Sequence, residues 1–132
     1  MSAQILEAYY RSFNARDYNG MLELVADDVV HEINQGKREV GKDLFAAFLE
    51  RMDRQYREQI ADLVVLSEAS GTRYATEYTV IGKYLQADQG MPPANGQRYE
   101  LSAGAFFELD GDVIERVTVY YNLPEWLEQV RG

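Results

Sequence analysis

Between Gln97 and Tyr121 the chain reads QRYELSAGAFFELDGDVIERVTVYY. Tyr99, Leu101, Ala103, Ala105 and Phe107 fall at every second position, the spacing of side chains that share one face of a β-strand. Asp110-Gly111-Asp112 breaks the pattern with turn residues, and Val113 to Tyr121 resumes it with β-branched and aromatic side chains. The stretch reads as a hairpin of two long strands, Gln97–Leu109 and Val113–Tyr121. Upstream, Thr72 to Leu85 is a further strand, rich in Tyr74, Thr76, Tyr78, Val80, Ile81 and Tyr84. Leu63-Val64-Val65-Leu66 forms the core of another, joined to it through Ala69-Ser70-Gly71. Downstream, Leu123-Pro124-Glu125 opens a short helix with Trp126, Leu127 and Val130 as its apolar residues, and Pro124 suits its first turn.

Before Ile60 the period is close to 3.6 rather than 2. Ile5, Leu6, Tyr9, Tyr10 and Phe13 lie on one side of a first helix, with Ser2 placed to cap it. A short second helix carries Met21, Leu22, Leu24 and Val25 and ends at Asp27-Asp28. A third begins after Gly41, with Leu44, Phe45, Phe48, Leu49, Met52 and Tyr56 on one stripe. Arg51, Arg54 and Arg57, with Glu50, Asp53 and Glu58, read as its solvated face. Three helices followed by a strand meander predict an α+β fold, with helices packed on a curved antiparallel sheet and a short C-terminal helix. The linker Gln86–Gly96 is longer than a hairpin needs; it reads as a lid over a pocket, with Met91 as an adaptable apolar contact, or as a surface excursion or dimer contact.

The 132 residues fit a single domain over 1–132. There is no cysteine, which excludes disulfides, thiolate metal sites and a cysteine nucleophile. One histidine without thiols cannot supply the usual zinc set, so no metal is expected, and no phosphate-binding glycine loop or other cofactor motif is present. A net charge of −9 argues against nucleic acid. No apolar run is long enough for a membrane span, and the start lacks the order of a signal peptide, so a cytoplasmic location is expected.

The residues Phe13-Asn14-Ala15-Arg16-Asp17-Tyr18-Asn19-Gly20 resemble the "NAGDLDG" turn of ketosteroid isomerase and its relatives. Ala26-Asp27-Asp28-Val29-Val30 resembles their "ADDV" lead into the first strand, and Gly41 to Phe48 their "G-x-x-x-I-x-x-F" helix start. Phe106 to Ile114, with Tyr120-Tyr121-Asn122, is similar to their "F-x-x-x-D-G-K-I … Y-F-D" hairpin. Together these resemble the SnoaL-like branch of the nuclear transport factor 2-like superfamily. The resemblance implies a cone: helices close over a bent sheet, and a pocket opens at the wide end. It also implies a small, mostly apolar organic ligand and acid–base chemistry of the isomerase, cyclase or dehydratase type. The alternative is a non-catalytic binding or dimerisation domain of the same fold.

Ketosteroid isomerase uses an aspartate base, with a tyrosine and a protonated aspartate that hold the oxyanion. The tyrosine position corresponds to Tyr9. The base position corresponds to Ile33, and the neutral aspartate to Gly104 or Ala105, so two of the three parts are absent here. His31 shares a strand face with Ile33 and is the expected replacement proton carrier, since a free imidazole titrates near 6.5. A bulge would turn Glu32 or Asn34 inward instead. Tyr120 and Asn122 are expected to orient the ligand, and Phe13, Ile33, Tyr99 and Trp126 to line its pocket. Glu77 is expected to pair at a sheet surface, or to act as a base if it is buried. Apolar residues on both faces of the Thr72–Leu85 strand predict a homodimer that covers the face the helices leave open.

Overall fold

The structure is a computed structural model, and it describes residues 2–131, apart from the side chain of Ser2. The expected Ser2 cap therefore lies outside what is described. Helix α1 spans Ser2–Asn14 and α2 spans Tyr18–Glu23. Between them Arg16 takes φ 60°, and Asp17 caps α2 by accepting from the Gly20 N–H at 2.9 Å. Strand β1 (Val25–Ile33) follows at once, then β2 (Arg38–Val40), α3 (Lys42–Gln55), β3 (Tyr56–Ser67), β4 (Arg73–Tyr84), β5 (Gln97–Asp110), β6 (Val113–Tyr121) and α4 (Leu123–Arg131).

The α+β class holds, with two corrections to the arrangement. Val25, Asp27 and Asp28 belong to β1 rather than to the end of α2. The sheet is mixed, in the order β2-β1-β6-β5-β4-β3, because β1 pairs with β6 in parallel. The chain leaves β1 through β2 and α3 before the meander begins, and it meets β1 again only with its last strand. The other four pairings are antiparallel.

The sheet has two unlike faces. Along β4 the even residues Tyr74, Thr76, Tyr78, Val80 and Tyr84 are buried under the helices, while Glu77 and Ile81 on the other face are exposed. In β5 the inner residues are odd: Tyr99, Leu101, Ala105, Phe107 and Leu109. Leu6, Tyr9 and Tyr10 of α1 pack onto this floor, Tyr9 meeting Phe107 edge-on at 5.5 Å. Asn14 ties α1 to β3: its amide donates to Ile60 O at 3.0 Å, and its carbonyl accepts from Ile60 N at 2.8 Å. On β5, before its pairing with β6 begins at Ala103, Gln129 of α4 makes the same paired contact with the backbone of Glu100, at 2.8 and 2.9 Å. These two amides fix the first and last helices to the sheet.

Candidate active site

Between the helices and the inner face of the sheet lies a cavity of about 410 Å³. Its helical walls are Tyr9, Tyr10 and Phe13 of α1, Met21 of α2, Phe45, Phe48, Leu49 and Met52 of α3, and Trp126 of α4. Its floor is His31 and Ile33 of β1, Glu58 and Ile60 of β3, Tyr78 and Val80 of β4, Leu101 and Ala103 of β5, and Val117, Val119 and Tyr121 of β6. Gln35, Lys37, Glu39 and Arg51 also line it. The lining is mainly apolar with a few polar groups, the usual make-up of a site for a small organic molecule.

Of the residues picked out from sequence, Tyr9, Phe13, His31, Ile33 and Trp126 meet at this cavity. The irregular register in β1 falls between Val25 and Val30, upstream of His31, so His31 and Ile33 keep a common face. Glu32 points the other way, where it accepts from the Thr118 hydroxyl at 3.0 Å. His31 is 4% exposed and lies between the rings of Phe45 and Phe48, with centroids 4.8 and 4.4 Å away. Burial, aided by the Arg51 guanidinium, pushes its pKa down to about 4. The imidazole is therefore neutral at pH 7. Tyr9 is buried, which raises its pKa and keeps the phenol protonated. Among the described residues no hydrogen-bond partner takes its hydroxyl.

Three expected ligand contacts are placed elsewhere. Tyr120 is 40% exposed on the outer face and packs edge-on against Phe106. Its neighbours Val119 and Tyr121 face the cavity, because the inner residues at the end of β6 are the odd ones. Asn122 follows β6, and its carbonyl accepts from the Glu125 N–H at 3.1 Å, so it caps α4. Tyr99 is buried but stands behind the cavity wall, donating its hydroxyl to Glu58 Oε2 at 2.5 Å.

Glu58 is the residue that sequence reading misplaced. α3 ends at Gln55, and Tyr56 is already extended, with φ −136° and ψ 146°. Tyr56 continues the stripe of Phe48, Leu49 and Met52 by spacing alone, and this extended the apparent helix past its end. On β3 the face that carries Tyr56 and Ile60 also carries Glu58, which places a carboxyl inside the cavity. Burial raises its pKa above the ordinary glutamate value, and the Tyr99 hydrogen bond offsets this only partly. A second tyrosine–carboxylate pair lies nearby: Tyr56 donates to Asp88 Oδ2 at 2.8 Å. The charges of both Glu58 and Asp88 add to burial in raising the pKa of Tyr121, and Glu58 does the same to Tyr78, which is pushed up to about 12. The 86–96 linker is part of this wall. Asp88 and Met91 line the cavity, and Tyr84 pins the loop by donating to Pro92 O at 2.7 Å and accepting from Asp88 N at 2.9 Å.

The sequence model of the SnoaL-like domain matches residues 6–117. The chain belongs to the SnoaL-like domain family. Its structure is similar to that of a candidate polyketide cyclase from Pseudomonas putida, with 53% identity, 98% of each chain covered and a TM-score of 0.96. A candidate polyketide cyclase from Xanthomonas campestris follows at 49% identity, covering 97% of this chain and 95% of its own, with a TM-score of 0.93. A Catenulispora acidiphila protein described as having a ketosteroid isomerase-like fold is 18% identical over 99% of this chain and 95% of its own. Its TM-score is 0.73, and it supports the fold alone. No functionally curated protein matches the chain. SnoaL-like domains thus include this chain from its first helix into its last strand. Within it no described helix is long and apolar enough to cross a membrane.

Proposed function

We propose that this SnoaL-like domain binds a small, mostly apolar organic ketone or phenol and catalyses proton transfer on it, as an isomerase, cyclase or lyase would. The observation that carries the reading is a part-buried carboxyl, Glu58, hydrogen-bonded to Tyr99 and facing a largely apolar cavity. A carboxyl whose pKa is raised by burial is a stronger base than one at its free value, and so a better acceptor of a proton from carbon. His31 held neutral with a pKa near 4 is the weaker base of the two. Its role is to offer a neutral imidazole to a ligand oxygen or nitrogen. Tyr9 presents a protonated hydroxyl from the helical wall and would stabilise negative charge developing on a ligand oxygen. The tyrosine retained at the family position thus keeps its role, while the acid–base work moves from β1 to β3. The polyketide cyclase description of the relatives at 53% and 49% identity supports an aromatic or polyketide-like ketone as substrate class.

The test is a melting-temperature screen against steroid-like enones, polyketide-like phenols and terpenoid ketones, followed by exchange of the bound ketone's α-protons into D2O. Binding of at least one class with accelerated exchange is expected. Stabilisation by none of them, or tight binding with exchange no faster than in buffer, would overturn the catalytic reading.

A further inference from the structure

Glu58, Gly82 and Tyr99 form one row across three adjacent strands, with Glu58 opposite Gly82 and Gly82 opposite Tyr99. Strands β3 and β5 are two strand spacings apart, roughly 10 Å. For a phenol on β5 to reach a carboxyl on β3, the ring must lie flat across β4. The residue in that row on β4 is a glycine. A Cβ placed on Gly82 would fall 2.5 Å from Cε2 and 2.6 Å from the hydroxyl oxygen of Tyr99, and closer still to Cζ. Trp126 packs edge-on against the same ring, with centroids 6.0 Å apart. The ring is therefore bounded by the Gly82 backbone and by an indole that lines the cavity.

We propose that Gly82 is a positioning residue for the Glu58 carboxyl: its missing side chain lets Tyr99 cross β4 and orient the group that faces the ligand. Any side chain at position 82 meets the ring itself, from its edge to its hydroxyl, so the hydroxyl must leave Glu58. Glycine is otherwise a poor strand residue, with no side chain to pack and a larger entropy loss on folding. Its backbone here is not in the left-handed region, so close approach rather than turn geometry accounts for it. The functional meaning of this device rests on Glu58 carrying the proton.

The experiment is NMR titration of the Glu58 carboxyl, using 13C-labelled glutamate, in wild type, Gly82→Ala, Tyr99→Phe and the double variant. Tyr99→Phe should raise the Glu58 pKa by about one unit, since a hydrogen bond to the carboxylate is lost. Gly82→Ala should raise it by a similar amount, and the double variant should match Tyr99→Phe alone. A Glu58 titration unchanged by Gly82→Ala, or shifts that simply add in the double variant, would overturn the proposal. Should Gly82→Ala fail to fold, Gly82→Ala in a Tyr99→Ala background decides. It should melt within a few degrees of Tyr99→Ala, because the obstructing ring is gone; a loss as large as in the presence of Tyr99 would overturn the proposal. Failure of the catalytic reading shows differently: Glu58→Gln would leave α-proton exchange intact while these titrations still moved together.

Discussion

His31 and Glu58 have opposite protonation tendencies inside one cavity. His31 titrates near 4 when folded and near 6.5 when unfolded, so the unfolded chain binds more protons between those values. Its contribution to stability is therefore complete above about pH 6.5 and disappears as pH falls to 4, a swing on the order of 3 kcal/mol. Urea unfolding across that window should show it, and His31→Leu should flatten the dependence. A dependence as steep in the variant as in wild type would show that other groups cause it. Glu58 acts with the reverse sign. Its folded pKa lies above the unfolded one, so its contribution is present at low pH and is lost as pH rises through the folded value. In Glu58→Gln that decline toward neutral pH should vanish. Of this pair only His31 was legible in the sequence, because a lone histidine on an alternating strand declares its face. Glu58 sat among arginines and acids that looked like a solvated helix, and only the extended backbone at Tyr56 reveals its strand parity.

At the scale of elements, strand parity decides which side chains meet the ligand. At the end of β6, Val119 and Tyr121 face inward and Tyr120 outward. Val119→Trp should therefore fill the cavity and abolish binding of any ketone found in the screen. Tyr120→Ala should leave that affinity within about twofold; the reverse pattern would mean that β6 is misregistered. The strand itself was plain from its β-branched residues, but its inner face was not, since valine and tyrosine occupy both sides. The parallel β1–β6 pairing was also hidden. Pairing across some 85 residues leaves no local trace, whereas the 97–121 hairpin announces itself through its turn. The Asn14 clamp between α1 and β3 is a further element-level test. Asn14→Ala removes two hydrogen bonds to Ile60 and should cost about 1–3 kcal/mol in denaturant unfolding with ligand chemistry unaltered. A loss below about 0.5 kcal/mol would show that packing alone holds the helix.

The whole molecule pairs an enclosed inner face with an open outer one. Val64, Leu66, Ile81 and Phe106 are each about half exposed on the outer side of the sheet, next to Tyr120. The same side carries Arg57, Lys83 and Arg98 as well as Glu77 and Glu100, so a copy turned by a two-fold axis can match both apolar and charged groups. Light scattering coupled to size exclusion should report a dimer at micromolar concentration, and Phe106→Glu should shift it to monomer. A wild-type monomer would show that this face is simply solvated. The cone and its helices could be expected from the order of periodicities and from the motif resemblance. The chemistry could not, because it depends on which strand lends a carboxyl to the hollow. That point is tested most directly by measuring α-proton exchange of a bound ketone against pH in wild type and Glu58→Gln. The wild-type rate should rise through an apparent pKa above the ordinary glutamate value of about 4.3. Glu58→Gln should lower the rate by roughly 10²–10⁴ and erase that step. An unchanged rate in Glu58→Gln, with the step lost instead in His31→Gln, would contradict the account.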